Sequence, residues 1–283
     1  MSELYDRRYR LEITVGNSRA LVVETDEEDP YRSLAISFDV EKNLVPSPNP
    51  ATIKITNLAP DTRHLLAGLR GARVSLSAGY LEERTEIFVG GIFSVFSRLQ
   101  APDWTTEIRA RDGGTHYTTT RLKTSLQVKT SLKDAISTGL KAAGVDVRVL
   151  KDVPVVNFEY GIHMNGSLKR TLNQLTAAHG LSWSFQDEQI QIFEKGGHTG
   201  EGTVLLTPDT GLIGAPSSNL ELVAGVFPKT SIQFESAMNG AIRPGRRVRI
   251  ESETWTGECS IYRAKFSGVF PGGAWKVEGQ SYL

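Results

Sequence analysis

Apolar and polar positions alternate through residues 1–116. Tyr9, Leu11, Ile13 and Val15 form one such set; Leu34, Ile36, Phe38 and Val40 a second; Ala51, Ile53 and Ile55 a third. A period of two predicts strands with one face buried and the other facing water or a partner. Pro46-Ser47-Pro48-Asn49-Pro50 reads as a stiff turn between two of them. Asp26-Glu27-Glu28-Asp29-Pro30 reads as an acidic, solvated loop. Pro60 suits a first helical position, Leu65 and Leu66 supply an apolar face and Gly68 an end, which predicts a short helix after Leu58. Further strands are expected at residues 74–78, 87–96 and 104–110. Gly90-Gly91 marks a bulge or a close backbone approach in the middle one, and Asp112-Gly113-Gly114 closes the module.

The pattern changes over residues 117–196. Ser131-Leu132-Lys133-Asp134 carries a helix-capping signal and Gly144 a stop; Ser167-Leu168-Lys169-Arg170 and Gly180 repeat the arrangement 36 residues later. Each helix is followed by an alternating strand, Val145/Val147/Val149 and Leu181/Trp183/Phe185. Two copies are too few for a solenoid, so a small α+β domain is expected, left through the Gly-rich linker at 194–200. Alternation returns in residues 197–283, with Ile232 and Phe234, Val248 and Ile250, and a final strand from Trp275 to Tyr282.

The two β-rich ends share a plan. Gly71-Ala72-Arg73-Val74-Ser75-Leu76 resembles Gly245-Arg246-Arg247-Val248-Arg249-Ile250; each leads to an Ile-aromatic pair, Ile92-Phe93 and Ile261-Tyr262, and then to Trp-x-x-Glu, Trp104 to Glu107 and Trp275 to Glu278. A duplicated module is the reading preferred to two unrelated antiparallel segments, and it points to an assembly component before an enzyme. The expected architecture is mainly β with an α+β insert: a first β module at 1–116, the insert at 117–196, and a second β module at 197–283.

Composition narrows the function classes. There are 32 basic and 32 acidic residues, so no global field draws a polyanion, and stable nucleic-acid binding is not expected. The single Cys259 allows neither an internal disulfide nor a thiolate metal cluster and reads as a small, partly buried residue. The N-terminal segment is charged and lacks the apolar core of a signal peptide, and no apolar run reaches the ~18 residues of a membrane span. Synthesis in the cytoplasm and no membrane insertion are therefore expected.

The candidate chemistry is sparse. His64, His116, His163, His179 and His198 show no metal-binding spacing. His179 falls in the last turn of a helix, where a capping role is expected, and His198 in the exposed linker. No nucleophile elbow, P-loop or dinucleotide fingerprint occurs. Glu82-Glu83 and Asp187-Glu188 are the acidic pairs a glycosidase would need, but neighbours in a polar turn read as solvated charge. The densest basic group is Arg243, Arg246, Arg247 and Arg249, a candidate for phosphate or a carboxylate-rich partner. No catalytic, cofactor-binding or metal-binding residue is expected, and a cell-wall-acting enzyme or a carbohydrate-binding β module is kept as the alternative to an assembly role.

Several stretches taken together resemble one family. They are Pro48-Asn49-Pro50-Ala51-Thr52-Ile53-Lys54-Ile55-Thr56-Asn57-Leu58, Phe88-Val89-Gly90-Gly91, residues 104–113, and Thr210-Gly211-Leu212-Ile213-Gly214-Ala215-Pro216. The last is residues 237–248, in which Asn239-Gly240 stands where the family more often has Asn-Pro. The chain is similar to phage tail baseplate hub proteins, the group that includes late-control protein D-like hubs. The resemblance covers most of the chain in order. It implies two tube-type β-barrel modules per subunit and a homotrimer located in the virion tail baseplate. It implies contacts with the tail tube protein or tube-terminal ring, the spike protein, baseplate wedge proteins and the tape measure protein, with DNA passing through. It implies no catalytic residues and no cofactor. Three subunits with two like modules each present six, which matches a sixfold ring. Contacts are expected between the first module of one chain and the second of the next, with polar strand faces lining the channel. Arg247 and Arg249 are candidates to face that channel or a neighbouring acidic strand.

Overall fold

The structure, a computed structural model, describes residues 6–81, 83–113, 119–223 and 227–282. Gly114, Glu82, His116 and the boundary expected at 116–117 lie outside the described residues. The first module contains β1 (Arg7–Val15), β2 (Ser18–Glu24), β3 (Ile36–Asn43), β4 (Pro50–Thr56), α1 (Pro60–Gly68), β5 (Ala72–Tyr80), β6 (Arg84–Gln100) and β7 (Asp103–Arg111). The middle holds β8 (Arg121–Leu126), β9 (Thr130–Ser131), α2 (Leu132–Ala142), β10 (Val147–Leu150), β11 (Asn157–Phe158), β12 (Ile162–Ser167), α3 (Leu168–Ala177), β13 (Leu181–Gln186) and β14 (Gln189–Glu194). The last part holds β15 (Val204–Leu206), β16 (Leu212–Val223), β17 (Phe227–Ala237), β18 (Arg247–Glu251), β19 (Thr256–Phe270) and β20 (Trp275–Tyr282).

The period-two sets become the core. Tyr9, Leu11, Ile13, Phe38, Val40, Ile53 and Ile55 are at most 2% exposed, whereas Val15, the last residue of β1, is exposed. Each fully buried large aliphatic or aromatic side chain contributes about 1.5–3 kcal/mol. Pro60 stands at the first position of α1, where its missing N–H leaves nothing unsatisfied. Ser131 and Ser167 cap α2 and α3 by accepting from the backbone N–H of Asp134 and Arg170. At Gly90 a Cβ would stand 2.6 Å from the Arg111 carbonyl oxygen, so the expected close approach is present.

The β modules are not two closed barrels, as the family resemblance implied. Among the described residues their strands form one 13-stranded sheet in the order β16-β17-β20-β19-β3-β4-β7-β6-β5-β1-β2, with β18 on β19 and β15 on β18. The reason lies in β19. This long strand gives residues 256–260 to β18 and, further along the same edge, residues 263–270 to β3 of the first module, with β20 on the opposite edge. The modules share one hydrophobic core, while the middle segment has its own, from Leu122, Leu132 and Ile136 to Phe185, Ile190 and Ile192. Among the described residues its strands pair within three small sheets, β10-β14-β13, β9-β11 and β8-β12. No helix among the described residues is long and apolar enough to cross a membrane.

The shared plan of the β modules extends to their registers. Val74 pairs with Gly90, and Val248 with Cys259; Ile92 and Ile261 each lie two residues further along. Ile92 then pairs with Ala110 and Ile261 with Ser281, and both ladders shift at the next residue, Phe93 and Tyr262. Beyond the shift, Phe96–Glu107 and Leu99–Trp104 match Lys265–Glu278 and Gly268–Trp275. On the outer flank, the run Ala110–Ala51–Val40 matches Ser281–Ile232–Ser218. Gly71 and Gly245, each just before the equivalent strand, both have positive φ, 64° and 85°. The strand order β3-β4-β7-β6-β5 therefore repeats as β16-β17-β20-β19-β18.

Candidate functional site: a paired polar face and a buried three-way junction

Because side chains alternate across a sheet, burying one face leaves the other to polar residues. On that polar face Arg263 meets Glu41 at 2.5 Å, Lys265 meets Asp39 at 3.6 Å, Arg109 meets Glu107 at 2.7 Å, and Lys276 lies 3.0 Å from both Glu235 and Glu278. The hydrogen bonds that Lys276 donates to Glu235 and Glu278 raise its pKa. These pairs are partly exposed and each adds at most about 1 kcal/mol. Their effect is on the surface itself, which is hydrophilic but nearly charge-compensated across both modules. A concavity of about 610 Å³ opens on it at the β16 end, lined by Gln233, Glu235, Arg263, Lys265 and Gln280 among others.

The second feature is buried. The β13–β14 hairpin turns through Asp187 and Glu188, both at positive φ, and pushes its tip against both β modules. Lys42 of β3, 0% exposed, donates to Asp187 Oδ1 and Oδ2 at 2.6 and 2.7 Å. The Val89 N–H donates to Asp187 Oδ1 at 3.1 Å, and Arg243 Nη1 to Oδ2 at 3.4 Å. Asp112 accepts from the Asn49 backbone and side-chain N–H groups at 2.6 and 2.9 Å and from the Asp187 N–H at 3.1 Å. Glu188 accepts from the Gly113 N–H at 2.9 Å. One hairpin tip is thus bonded to β3, to β6, to the end of the first module and to the loop before β18.

Desolvation dominates the electrostatics there. Burial pushes Asp112 up to about 7 against the opposing pull of the Asn49 hydrogen bonds, and it lowers Lys42 despite the Asp187 carboxylate. Arg243 is likewise lowered by burial. A buried pair of this kind gives little net stability over an apolar pair. Removing one partner, however, costs about 3–5 kcal/mol.

The sequence-predicted residues are distributed as follows. Asp187 and Glu188 do occupy a hairpin turn, but Asp187 is 8% exposed and ion-paired, not solvated. Glu83 is exposed. The arginine group does not form one anion site. Arg243 turns inward to Asp187, and Arg246 donates to the Gly202 and Ala241 carbonyls. Arg247 and Arg249 lie on the outer face of β18, with Glu258 of β19 at 3.7 Å and Glu251 at 2.7 Å. His179 lies two residues beyond the end of α3 rather than in its last turn, its ring edge-on to Phe158. His198 is half-buried rather than exposed: its Nδ1 accepts from the Gly200 N–H, and desolvation lowers its pKa. Cys259 is buried and free, and its thiol pKa is raised by that burial. Among the described residues no group of three or more His, Cys, Asp or Glu is placed to hold a metal. Of the tryptophans considered for a sugar platform, Trp275 is buried, Trp255 packs on the core, and Trp104 is stacked by Arg63 at 4.1 Å.

Sequence reasoning missed the junction. Its signal was Lys42, in phase with Ile36, Phe38 and Val40 on the apolar face of β3, where a lysine requires an acid.

Comparison with solved structures returns the same fold in tail proteins. The 43 kDa tail protein of prophage MuSo2 from Shewanella oneidensis matches with a TM-score of 0.64 at 10% identity, over 97% of this chain and 96% of that one. The tail protein from Neisseria meningitidis MC58 matches at 0.63 and 10% identity, over 99% and 97%. The E. coli c3393 protein, a component of the type VI secretion system with structural similarity to the T4 tail proteins gp27 and gp5, matches at 0.59 and 11% identity, over 87% and 73%. No curated protein sequence matches the chain. The family profile of baseplate hub gp41 matches residues 13–243, most of the chain. With that match and a duplicated tail-protein fold, the chain belongs to the baseplate hub gp41 family, structural proteins of the phage tail baseplate.

Proposed function

We propose that this hub is a homotrimer that adapts the sixfold tail tube to the threefold central spike and continues the DNA channel between them. The observation that carries the reading is the repeated register: each chain holds two copies of one five-stranded arrangement, so three chains offer six near-equivalent modules. The open sheet supports it too, since a ring of such sheets closes only between chains. The polar, ion-paired face would line the channel, where balanced charge lets a polyanion pass without being held. Arg247 and Arg249, balanced by Glu258 and Glu251, face that channel or a neighbouring chain. The tail tube protein, the spike protein, the wedge proteins and the tape measure protein are the proposed partners. In this reading the chain divides at 1–116, 117–196 and 197–283, and the insert, with its own core, would stand beside the ring.

Light scattering tests the assembly. A mass near three times 31.1 kDa is expected, and a stable dimer would overturn the trimer. Zymography on peptidoglycan tests the enzyme alternative. No clearing is expected; clearing lost on mutating Glu82, Glu83, Asp187 or Glu188 would overturn the structural role.

A further inference from the structure

The joint between the modules inside one chain has two halves, and each half has an unused twin. On the first module the joint uses the outer edge of β3; the equivalent strand of the second module is β16, which ends the sheet. On the second module it uses residues 263–270 of β19; the equivalent stretch, residues 94–101, runs to the end of β6 and one residue past it. There β5 no longer runs alongside, and its own pairing with β6 stops at Gly91. One chain therefore carries one completed joint and both halves of a second.

We propose that β16 of one copy of this chain pairs antiparallel with residues 94–98 of β6 in a second copy, in the register the chain already uses between β3 and β19. This deepens the assembly reading above and rests on it. Within the chain Phe266 pairs with Val40 and Ala264 with Lys42. Five residues beyond Ile261 is Phe266, and five beyond Ile92 is Ser97; Val40 corresponds to Ser218 through Ala51 and Ile232. Ser97 of one copy therefore stands opposite Ser218 of the other, and Val95 opposite Leu220. Pro216, with no N–H to give, ends the ladder.

Three further observations favour a second copy as the occupant. The exposed apolar residues of these segments sit where their twins are buried. Leu99, whose twin is the buried Gly268, is 55% exposed; Leu220, whose twin Lys42 is 0% exposed, is 75% exposed. Trp104 is 37% exposed, whereas its twin Trp275 crosses the completed joint and donates from Nε1 to the Gly79 carbonyl at 3.0 Å. Finally, the other end of the sheet is protected as solvent-facing edges are, by the Arg10–Glu24 and Arg19–Glu12 pairs on β1 and β2, while residues 94–97 and 217–220 carry no charge at all. The contact is head-to-tail, so it propagates until a ring closes.

Cysteine cross-linking tests the register. Directly opposed residues of an antiparallel pair lie within disulfide range, and a slip of one residue turns the side chain to the other face. Ser97→Cys chains mixed with Ser218→Cys chains under mild oxidation should form a covalent dimer. Ser97→Cys mixed with Asn219→Cys should not. A second variant, Leu220→Glu, should weaken self-association by at least about tenfold. It should leave the thermal unfolding of the single chain unchanged, because Leu220 is mostly exposed there. A threefold mass without the 97–218 cross-link overturns this joint and leaves the trimer standing. A single-chain mass at the cross-linking concentration overturns both.

Discussion

Trp275 and Trp104 occupy the same register position in two copies of one module, yet one is 4% exposed and the other 37%. Local sequence does not explain the difference, since both begin a strand that runs Trp-x-x-Glu and both follow a proline turn, Pro271 and Pro102. What differs is the neighbour. Trp275 lies against the other module, edge-on to Phe38 and bonded to the Gly79 carbonyl, whereas Trp104 has only Arg63 over its ring. In a duplicated chain the buried copy of a residue shows the environment for which the exposed copy is built.

Alanine substitution should expose that asymmetry most strongly. Trp275→Ala should cost about 3–5 kcal/mol of stability in chemical denaturation, and Trp104→Ala less than about 1 kcal/mol in the single chain. Equal losses would mean that the two sites are not in different states. The junction that locks the insert to both modules should give an effect of similar size. Asp187→Ala leaves Lys42 buried and unpaired, a loss of about 3–5 kcal/mol, and the double variant Lys42→Met with Asp187→Asn, which suits the positive φ and keeps an acceptor for the Val89 N–H, should recover part of it. A double variant no better than Asp187→Ala would show that the pairing is not what Lys42 requires.

A smaller effect depends on pH. The folded pKa of Asp112, about 7, lies above its ordinary value of 3.8. A raised carboxyl contributes stability that is fully present below its unfolded pKa and is lost as pH rises through the folded one. The chain should therefore lose stability as pH rises from about 4 to about 7 and level off above that, as the carboxyl ionises among Lys42, Asp187 and Asn49, and Asp112→Asn should flatten that slope. A wild-type midpoint that rises over this interval, or a slope unchanged in Asp112→Asn, would contradict the assignment. Smallest of all, Arg249→Ala should change stability by no more than about 0.5 kcal/mol, because its contact with Glu251 is solvated; a larger loss would place Arg249 in a contact within the chain.

Much of the fold was legible because it rests on local periodicity. The alternation of Ile36, Phe38 and Val40, the Ser caps at 131 and 167, and the G-x-R-V repeat each fix an element through neighbours in sequence. What the sequence did not show rests on pairing between distant strands. That β19 runs past its own module to β3 is a choice of partner edge, made through backbone groups that every residue but proline carries. The same holds for the junction. Asp187 reads as a turn residue because it is one, and its burial comes from the docking of the hairpin 145 residues away from Lys42. Arg243 and Arg247 were grouped by sequence proximity, but the turn at Gly245 sends one into the junction and leaves the other on the outer face of β18.

If the free ends of the two modules repeat between chains the joint the chain makes within itself, the assembled tail holds that joint three times over. Imaging the tail end of assembled particles at a resolution that separates strands tests it most directly. A threefold ring is expected in which first and second modules alternate, with β16 of each chain laid along residues 94–98 of the next and Trp104 buried as Trp275 is. A single copy of the chain in the intact tail, or subunits joined only through the α+β segments with Trp104 left in solvent, would contradict it.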